Sequence, residues 1–372
     1  MRRETPSTSP RLTVIVPVYG VEAFLGECLD SILSYDGTDL EVVAVDDCSP
    51  DGSGAILDAY AARDSRVKAV HLLQNKGLGG ARNAGLEHAS GRYVWFVDSD
   101  DVLPEGAVRA VLDRLALHEP DVLVIDHAVF FPDGRFEPKP TAPLLGDTPV
   151  PLHLSQAPQL LRLAQSACTK ITRRGLLDEA KLRFRSGLYE DSAYSHPLLM
   201  AAATIDVLHQ VCYLYRQQTP GAITSSVSKR HFDVFEQYQR LFDIIESAGG
   251  RYDVFRPELF RIMINHYLVI LGHGARVPGP LRRAFFRRMV EDYRRRLPAE
   301  GYTVPGGQDG LKHSLVRRNA YAAYAALRSV HRTRQRLTGG PVTAPARIPV
   351  QRTATSRDVA AGQQAASADH AG

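Results

Sequence analysis

No stretch of this 372-residue chain approaches the ~18 uninterrupted apolar residues that a membrane span needs. The best candidate, Pro197 to Val207, is short and carries Asp206. The N-terminal segment MRRETPSTSPRL has basic residues but no apolar core behind them, so it does not read as a secretory signal, and the expected location is the cytoplasm. Cysteine is scarce and scattered: Cys28, Cys48, Cys168 and Cys212 form no C-x-x-C pair, which excludes a zinc-finger pattern and a disulfide framework and leaves reduced, partly buried thiols. Tryptophan occurs once, at Trp95, and no internal repeat is visible. Acidic residues are absent from Leu311 to Leu337, where seven Lys or Arg stand.

With 44% hydrophobic and 23% charged residues the composition is that of an ordinary globular protein, and the length favours one large catalytic domain with an appendage, or two domains. Short β-branched runs, LTVIVPVY (12–19), LEVVAVDD (40–47), RVKAVHLL (66–73), RYVWFVD (92–98) and DVLVIDHAV (121–129), read as strands buried on both faces. Helical patterns separate them. Phe24, Cys28 and Ile32 recur at i, i+4 beside Leu25, Leu29 and Leu33, and similar segments run from Ser53 to Arg63, Gly79 to Ala89 and Glu105 to His118. This alternation predicts an α/β fold with a mostly parallel sheet flanked by helices, in which ligands bind at the carboxyl ends of the strands. After a proline-rich stretch and a mixed region from about Leu152 to Tyr215, the remaining patterns are helical: Arg230 to Gly250, Pro257 to Leu271, Pro280 to Leu297 and Leu311 to Leu337.

The carboxylates stand at those predicted strand ends. YVWFVDSDDVLP closes the fourth strand with Asp98, Asp100 and Asp101, and AVDDCSPDGS closes the second with Asp46 and Asp47. DSDD reads either as an acidic turn in which Asp100 or Asp101 caps a helix that has Pro104 in its first turn, or as a site where Asp98 and Asp100 hold Mn²⁺ or Mg²⁺, metals that complete their shells with water and substrate phosphates. Asp46 and Asp47 suit hydrogen bonds to ribose hydroxyls or to a base N–H, although a turn before a helix would also place acids there. A nicotinamide enzyme would need a Gly-rich turn after the first strand, where this chain has PVYGVEAF. The one Gly-rich stretch, NKGLGGARNAG (75–85), follows the third strand. Its glycines would let backbone approach a ligand, and Arg82 could neutralise a diphosphate or brace the carboxylates; the alternative is a flexible loop with Arg82 in solvent.

Together VIVPVYG, VVAVDDCSPDGS, NKGLGGARNAGL, YVWFVDSDDVL and GLYEDSAY, in this order, resemble the bacterial family 2 glycosyltransferases of GT-A fold, over about Arg11 to Ser225. The resemblance implies inverting transfer from a nucleoside-diphosphate sugar, usually a UDP-sugar, with Mn²⁺ or Mg²⁺. It implies that Pro17 and Tyr19 line the nucleotide pocket, that Asp47 contacts base or ribose with Asp46 in support, and that Arg82 lies near the diphosphate. It further implies Asp98 near ribose and metal, Asp100 on the metal, and Asp191 of the E-D pair, with Glu190 second, as the base that takes the acceptor's proton. YRQQTPGAITSS (215–226) resembles the family's loop after the catalytic core, from which Arg216 could reach the diphosphate. Gly20 departs from the family, which often has Asn there. Lys170 stands where these enzymes often have Lys, with no role assigned.

The chain lacks the Q-x-x-R-W motif of processive polysaccharide synthases, so single addition to a cell-surface glycan, lipid-linked or wall-polymer acceptor is expected. The expected layout is a tail over 1–10, a GT-A domain over 11–226, a helical region over 227–338 and a disordered tail over 339–372. The basic pattern around Leu315 to Val330 suits a helix docked on the catalytic domain or a contact with anionic lipid; no nucleic-acid partner is expected. The competing readings are a metal-dependent nucleotidyltransferase and a non-enzymatic basic protein that binds membrane or nucleic acid.

Overall fold

The computed structural model describes residues 9–131, 134–163, 165–217, 227–274, 276–338 and 346–347, with side chains described up to residue 330. The five predicted strands are β1 (Leu12–Val18), β2 (Leu40–Asp46), β3 (Val67–His71), β4 (Tyr93–Phe96) and β5 (Val122–Phe130). The helices between them are α1 (Glu22–Leu33), α2 (Ser53–Arg63), α3 (Gly77–His88) and α4 (Ala107–His118). β1 and β2 are buried at every position, which is why their sequences are continuous Val, Ile and Leu runs rather than alternating ones. α1 turns Leu25, Cys28, Leu29 and Ile32 into the core, as its spacing predicts.

The sheet order is β3-β2-β1-β4 in parallel, then the antiparallel insert β7 (Lys170–Arg173), then β5. β6 (Arg135–Lys139) pairs antiparallel with the far end of β5, and β8 (Ile205–Arg216) runs parallel along its other edge. The register of β8 on β5 shifts where His209 and Gln210 bulge out into solvent, a polar interruption that hides the strand in the sequence pattern. Short helices α5 (Ala142–Leu145) and α6 (Arg174–Glu179) and the longer α7 (Glu190–Ala201) fill the connections. Trp95 is completely buried in β4 and donates its indole N–H to the Cys168 carbonyl at 2.8 Å, fixing the segment before β7. α3 lies so close to the sheet that a Cβ on Gly85 would stand 2.4 Å from Ile15 Cγ2, so only glycine fits there.

The C-terminal helices are α8 (Asp233–Ser247), α9 (Arg256–Gly272), α10 (Arg282–Arg296), α11 (Gly307–Arg317) and α12 (Tyr321–Thr338). The single helix expected over Leu311 to Leu337 is two: Asn319 takes φ 54° and the Ala320 N–H returns to the Leu315 carbonyl at 2.9 Å, closing α11 with a left-handed residue that asparagine tolerates. α12 docks through Tyr321 and Tyr324 on Phe286 of α10, while Val330 faces solvent. α8 packs directly on α7, so the helical region touches the α/β layer beside the E-D pair. Of the tail expected over 339–372, only Ala346–Arg347 are described, as a two-residue strand β9 against the start of β6; the N-terminal tail up to residue 8 lies outside the described residues. Among the described residues no helix is long and apolar enough to cross a membrane. All four cysteines are free thiols, three of them buried and Cys48 exposed.

Candidate active site

The register of β1 on β2 sets Val18 beside Asp46, so the chain leaves both strands at one edge of the sheet. Tyr19, the first residue beyond β1, is 52% exposed there, whereas Pro17 is buried in β1 opposite Val45. The two acids that end β2 diverge. Asp46 accepts the Ser49 N–H at 2.9 Å and meets His71 Nδ1 at 3.1 Å, at the end of β3. Its burial raises its pKa, but the Ser49 and His71 contacts outweigh that and hold the carboxyl below its ordinary value. Asp47 accepts the Lys76 N–H at 2.6 Å, just before α3, and burial raises its pKa. The Gly-rich stretch is therefore not a loose loop: from Gly77 it is the first turn of α3, with its entry bonded to Asp47.

The three acids of DSDD have three environments. The Asp98 N–H donates to the Tyr213 hydroxyl at 3.1 Å, and its side chain, 26% exposed, accepts from Arg82. Asp100 offers its carbonyl to Arg216 Nε at 2.8 Å. Asp101 is not the start of a helix at Pro104: α4 begins only at Ala107, after Gly106 in a left-handed conformation. Asp101 is instead buried, accepting the Tyr213 hydroxyl and the Arg216 N–H, both at 2.7 Å. Burial, then the charges of Asp98 and Asp100, push its pKa well up. Arg216 also bonds Glu27 at 2.7 Å and stacks near Phe24 and Phe130, so its contacts tie the end of β8 to α1 and DSDD. The rest of the 215–226 stretch, from residue 218 on, lies outside the described residues.

Arg82 of α3, 1% exposed, gathers the carboxylates. Its Nη2 donates to Asp98 Oδ1 at 2.8 Å, and its Nη1 to Asp191 Oδ1 at 2.7 Å and Glu190 Oε1 at 3.2 Å. Of the two roles the sequence left open for Arg82, these contacts are those of a brace between carboxylates. A guanidinium suits this because its planar fork serves several acceptors without losing its charge when buried. Glu190 and Asp191 open α7, where the helix N-terminus favours negative charge. Even so, both carboxyls have raised pKa values, first through burial; Asp191 adds to the shift of Glu190, and Asp98 to that of Asp191, against the opposing pull of Arg82.

Lys170, without a role from sequence alone, begins β7 almost completely buried, with Nζ on the Ser166 carbonyl at 2.9 Å. Burial lowers its pKa to about 8, while the charge of Asp191 pulls the other way. Tyr213, which links Asp98 to Asp101, has no sequence signal: it lies in β8, a strand that the hydrophobic pattern conceals.

Among the described residues no three His, Cys, Asp or Glu side chains converge as a metal cluster. DSDD offers Asp98 and Asp100, with one Asp98 oxygen already on Arg82. Two carboxylates fit Mn²⁺ or Mg²⁺ only if the ion takes the rest of its shell from water and a diphosphate, as such ions commonly do.

The family model for glycosyl transferase family 2 matches residues 13–180, which hold every strand-end acid described above. The uncharacterized glycosyltransferase EpsJ of Bacillus subtilis (strain 168) is 30% identical over 236 residues, 62% of this chain and 68% of EpsJ. The chain belongs to glycosyl transferase family 2. It is a glycosyltransferase. Glycosyltransferase GlyG of Streptococcus pneumoniae serotype 4 is 27% identical over 234 residues, 61% of this chain and 75% of GlyG. Staphylococcus aureus TarS (strain Mu50), a poly(ribitol-phosphate) beta-N-acetylglucosaminyltransferase, is 31% identical over 231 residues, 61% of this chain but 39% of TarS. The fold is that of the solved S. aureus TarS 1–349 in complex with UDP-GlcNAc, at TM-score 0.53 and 24% identity over 76% of this chain and 73% of that one.

Proposed function

We propose that this glycosyltransferase moves one sugar from a nucleoside-diphosphate sugar, a UDP-sugar, to a hydroxyl of a glycan, lipid-linked or wall-polymer acceptor, with inversion at the anomeric carbon. The observation that carries the reading is the bridge through Arg82, which holds Asp98, on the donor side, and Asp191 within one guanidinium's reach. In this reading Asp47 and Tyr19 receive the nucleoside, with Asp46 holding the turn, and Asp98 and Asp100 hold Mn²⁺ or Mg²⁺. A bound ion would supply positive charge to the departing diphosphate. The acceptor oxygen attacks the anomeric carbon, its proton passes to the Asp191 carboxylate, and the bond to the diphosphate breaks with its electron pair leaving on the phosphate oxygen. The raised pKa of Asp191 suits a base that must hold that proton.

TarS, solved with UDP-GlcNAc, supports the choice of a UDP-sugar. The acid-free stretch 311–337 supports contact with an anionic lipid surface, at about 1 kcal/mol per basic residue near it. The test is a panel of UDP-, GDP-, CDP- and dTDP-sugars with Mn²⁺, read by melting temperature, because a ligand that binds only the folded state must stabilise it. A UDP-sugar should raise the melting temperature most and release UDP; release of pyrophosphate would indicate nucleotidyl transfer, and a flat panel would remove the donor site.

A further inference from the structure

We infer that the C-terminal helical layer is part of the catalytic apparatus: Tyr189, held by His231 and the first turns of α8, is a positioning residue that aims Glu190 and Asp191. This rests on the reading of Asp191 as the base. Tyr189 precedes α7 with φ 65°, a left-handed conformation that a bulky residue keeps only where its surroundings over-determine it. Here they do. Its hydroxyl meets Nδ1 of the fully buried His231 at 2.7 Å, and its ring stands edge-on to His266 with centroids 5.0 Å apart.

The preceding backbone is pinned from the same side. The Leu188 N–H donates to Asp233 Oδ2 at 3.0 Å, and Gln237 Nε2 donates to the Ser186 carbonyl at 3.1 Å, both acceptor and donor belonging to α8. Between them Gly187 has φ 108°, and a Cβ there would come within 3.3 Å of Gln237 and Asp233, so the turn lies flat on α8. A second route fixes the turn's exit: the Ser192 hydroxyl bonds Gln165, Gln165 Nε2 donates to the Tyr238 hydroxyl at 3.0 Å, and that hydroxyl meets His266 Nδ1 at 3.1 Å. Burial lowers the His266 pKa to about 3 and raises that of Tyr189 to about 12, so these groups are neutral and hold geometry rather than carry protons. Of the residues that hold this turn, Gln165 lies within the family match at 13–180, whereas His231, just before α8, Asp233, Gln237 and Tyr238 of α8 and His266 of α9 lie beyond it.

The test compares the full chain with Tyr189→Phe, which removes only the hydroxyl, and with Tyr302→Phe, which removes a like hydroxyl contact, to His313 of α11 at 2.8 Å. Four quantities are read: kcat and KM with whichever nucleotide sugar of the panel releases nucleoside diphosphate fastest, the rate of tryptic cleavage after the exposed Arg185, and the melting temperature. Tyr189→Phe should lower kcat about 10-fold to 100-fold, since small misplacements of a reacting group have large kinetic effects. Its donor KM should stay within about twofold, and cleavage after Arg185 should accelerate. Tyr302→Phe should lower only the melting temperature. Unchanged kcat and cleavage in Tyr189→Phe, or losses that merely track melting temperature in both variants, overturn the inference; if no donor turns over, an unchanged cleavage rate overturns it alone. Asp191→Asn separates the two ideas: wild-type turnover there refutes the base, whereas an inactive Asp191→Asn beside an unimpaired Tyr189→Phe refutes only the positioning.

Discussion

Arg82 and Asp191, 109 residues apart in the chain, meet at 2.7 Å in a site where the arginine is almost wholly buried. The same guanidinium holds Asp98 and Glu190, so one side chain bridges three carboxylates. Removing one partner of such a buried cluster leaves uncompensated charge. Arg82→Met is expected to destabilise the fold by about 3–5 kcal/mol in urea denaturation, and Arg82→Lys to rescue it poorly because an ammonium lacks the fork. The deficit should shrink as pH falls. Carboxyls without their cation have folded-state pKa values raised above the unfolded ones, and such groups stabilise while protonated and lose that contribution as pH rises.

Asp191 and Asp100 should fail in different ways. Asp191→Asn keeps the shape but removes the proton acceptor, so kcat should fall about 10²-fold to 10⁴-fold with donor affinity retained. Asp100→Ala should instead weaken the thermal stabilisation by nucleotide sugar plus Mn²⁺ and flatten its dependence on Mn²⁺ concentration. Equal losses of donor affinity in both variants would contradict the division of roles.

The acid limb of the rate profile should lie above the ordinary carboxylate range. Asp191 must be ionised to accept a proton, and burial with the nearby Asp98 charge raises its pKa against the pull of Arg82 and Lys170 and the Ala167 N–H. Activity should therefore fall as pH drops through that raised value. Lys170→Met removes one of the opposing cations, so the limb in kcat/KM against pH should move to higher pH; a limb that stays in place would mean that Lys170 does not act on Asp191.

These effects differ in how far the sequence exposes them. The continuous apolar runs of β1 and β2 end in Asp46 and Asp47, so strand and strand-end chemistry are written side by side in the text. The register that brings β4 next to β1 follows from the same runs, and DSDD with it. By contrast, the contact between Arg82 and Asp191 depends on how α7 docks after two unpredicted strands, and no local pattern encodes it. β7 is four residues long and antiparallel, and β8 hides behind the polar bulge at His209 and Gln210, which is why Lys170 and Tyr213 had no visible partners. Asp101 looked like a cap because Pro104 follows it; its burial under β8 is a tertiary fact.

Asp101 therefore gives the sharpest separation of structure from chemistry within DSDD. Its two oxygens accept the Tyr213 hydroxyl and the Arg216 N–H, and that tyrosine in turn accepts the Asp98 N–H. Asp101→Ala strands both donors, each at about 1–3 kcal/mol, so the variant should lose about 2–6 kcal/mol in urea denaturation. Asp101→Asn keeps most of the shape and removes the ionisation. Burial and the charges of Asp98 and Asp100 raise the folded-state pKa of Asp101, so its contribution to stability is complete at low pH and is lost as pH rises through that value. Relative to the parent protein, Asp101→Asn should thus be at its worst near about pH 4 and gain ground toward about pH 8. A stability difference that does not move across this range would show that Asp101 stays ionised throughout, and that the burial of its charge is already matched by Tyr213 and Arg216.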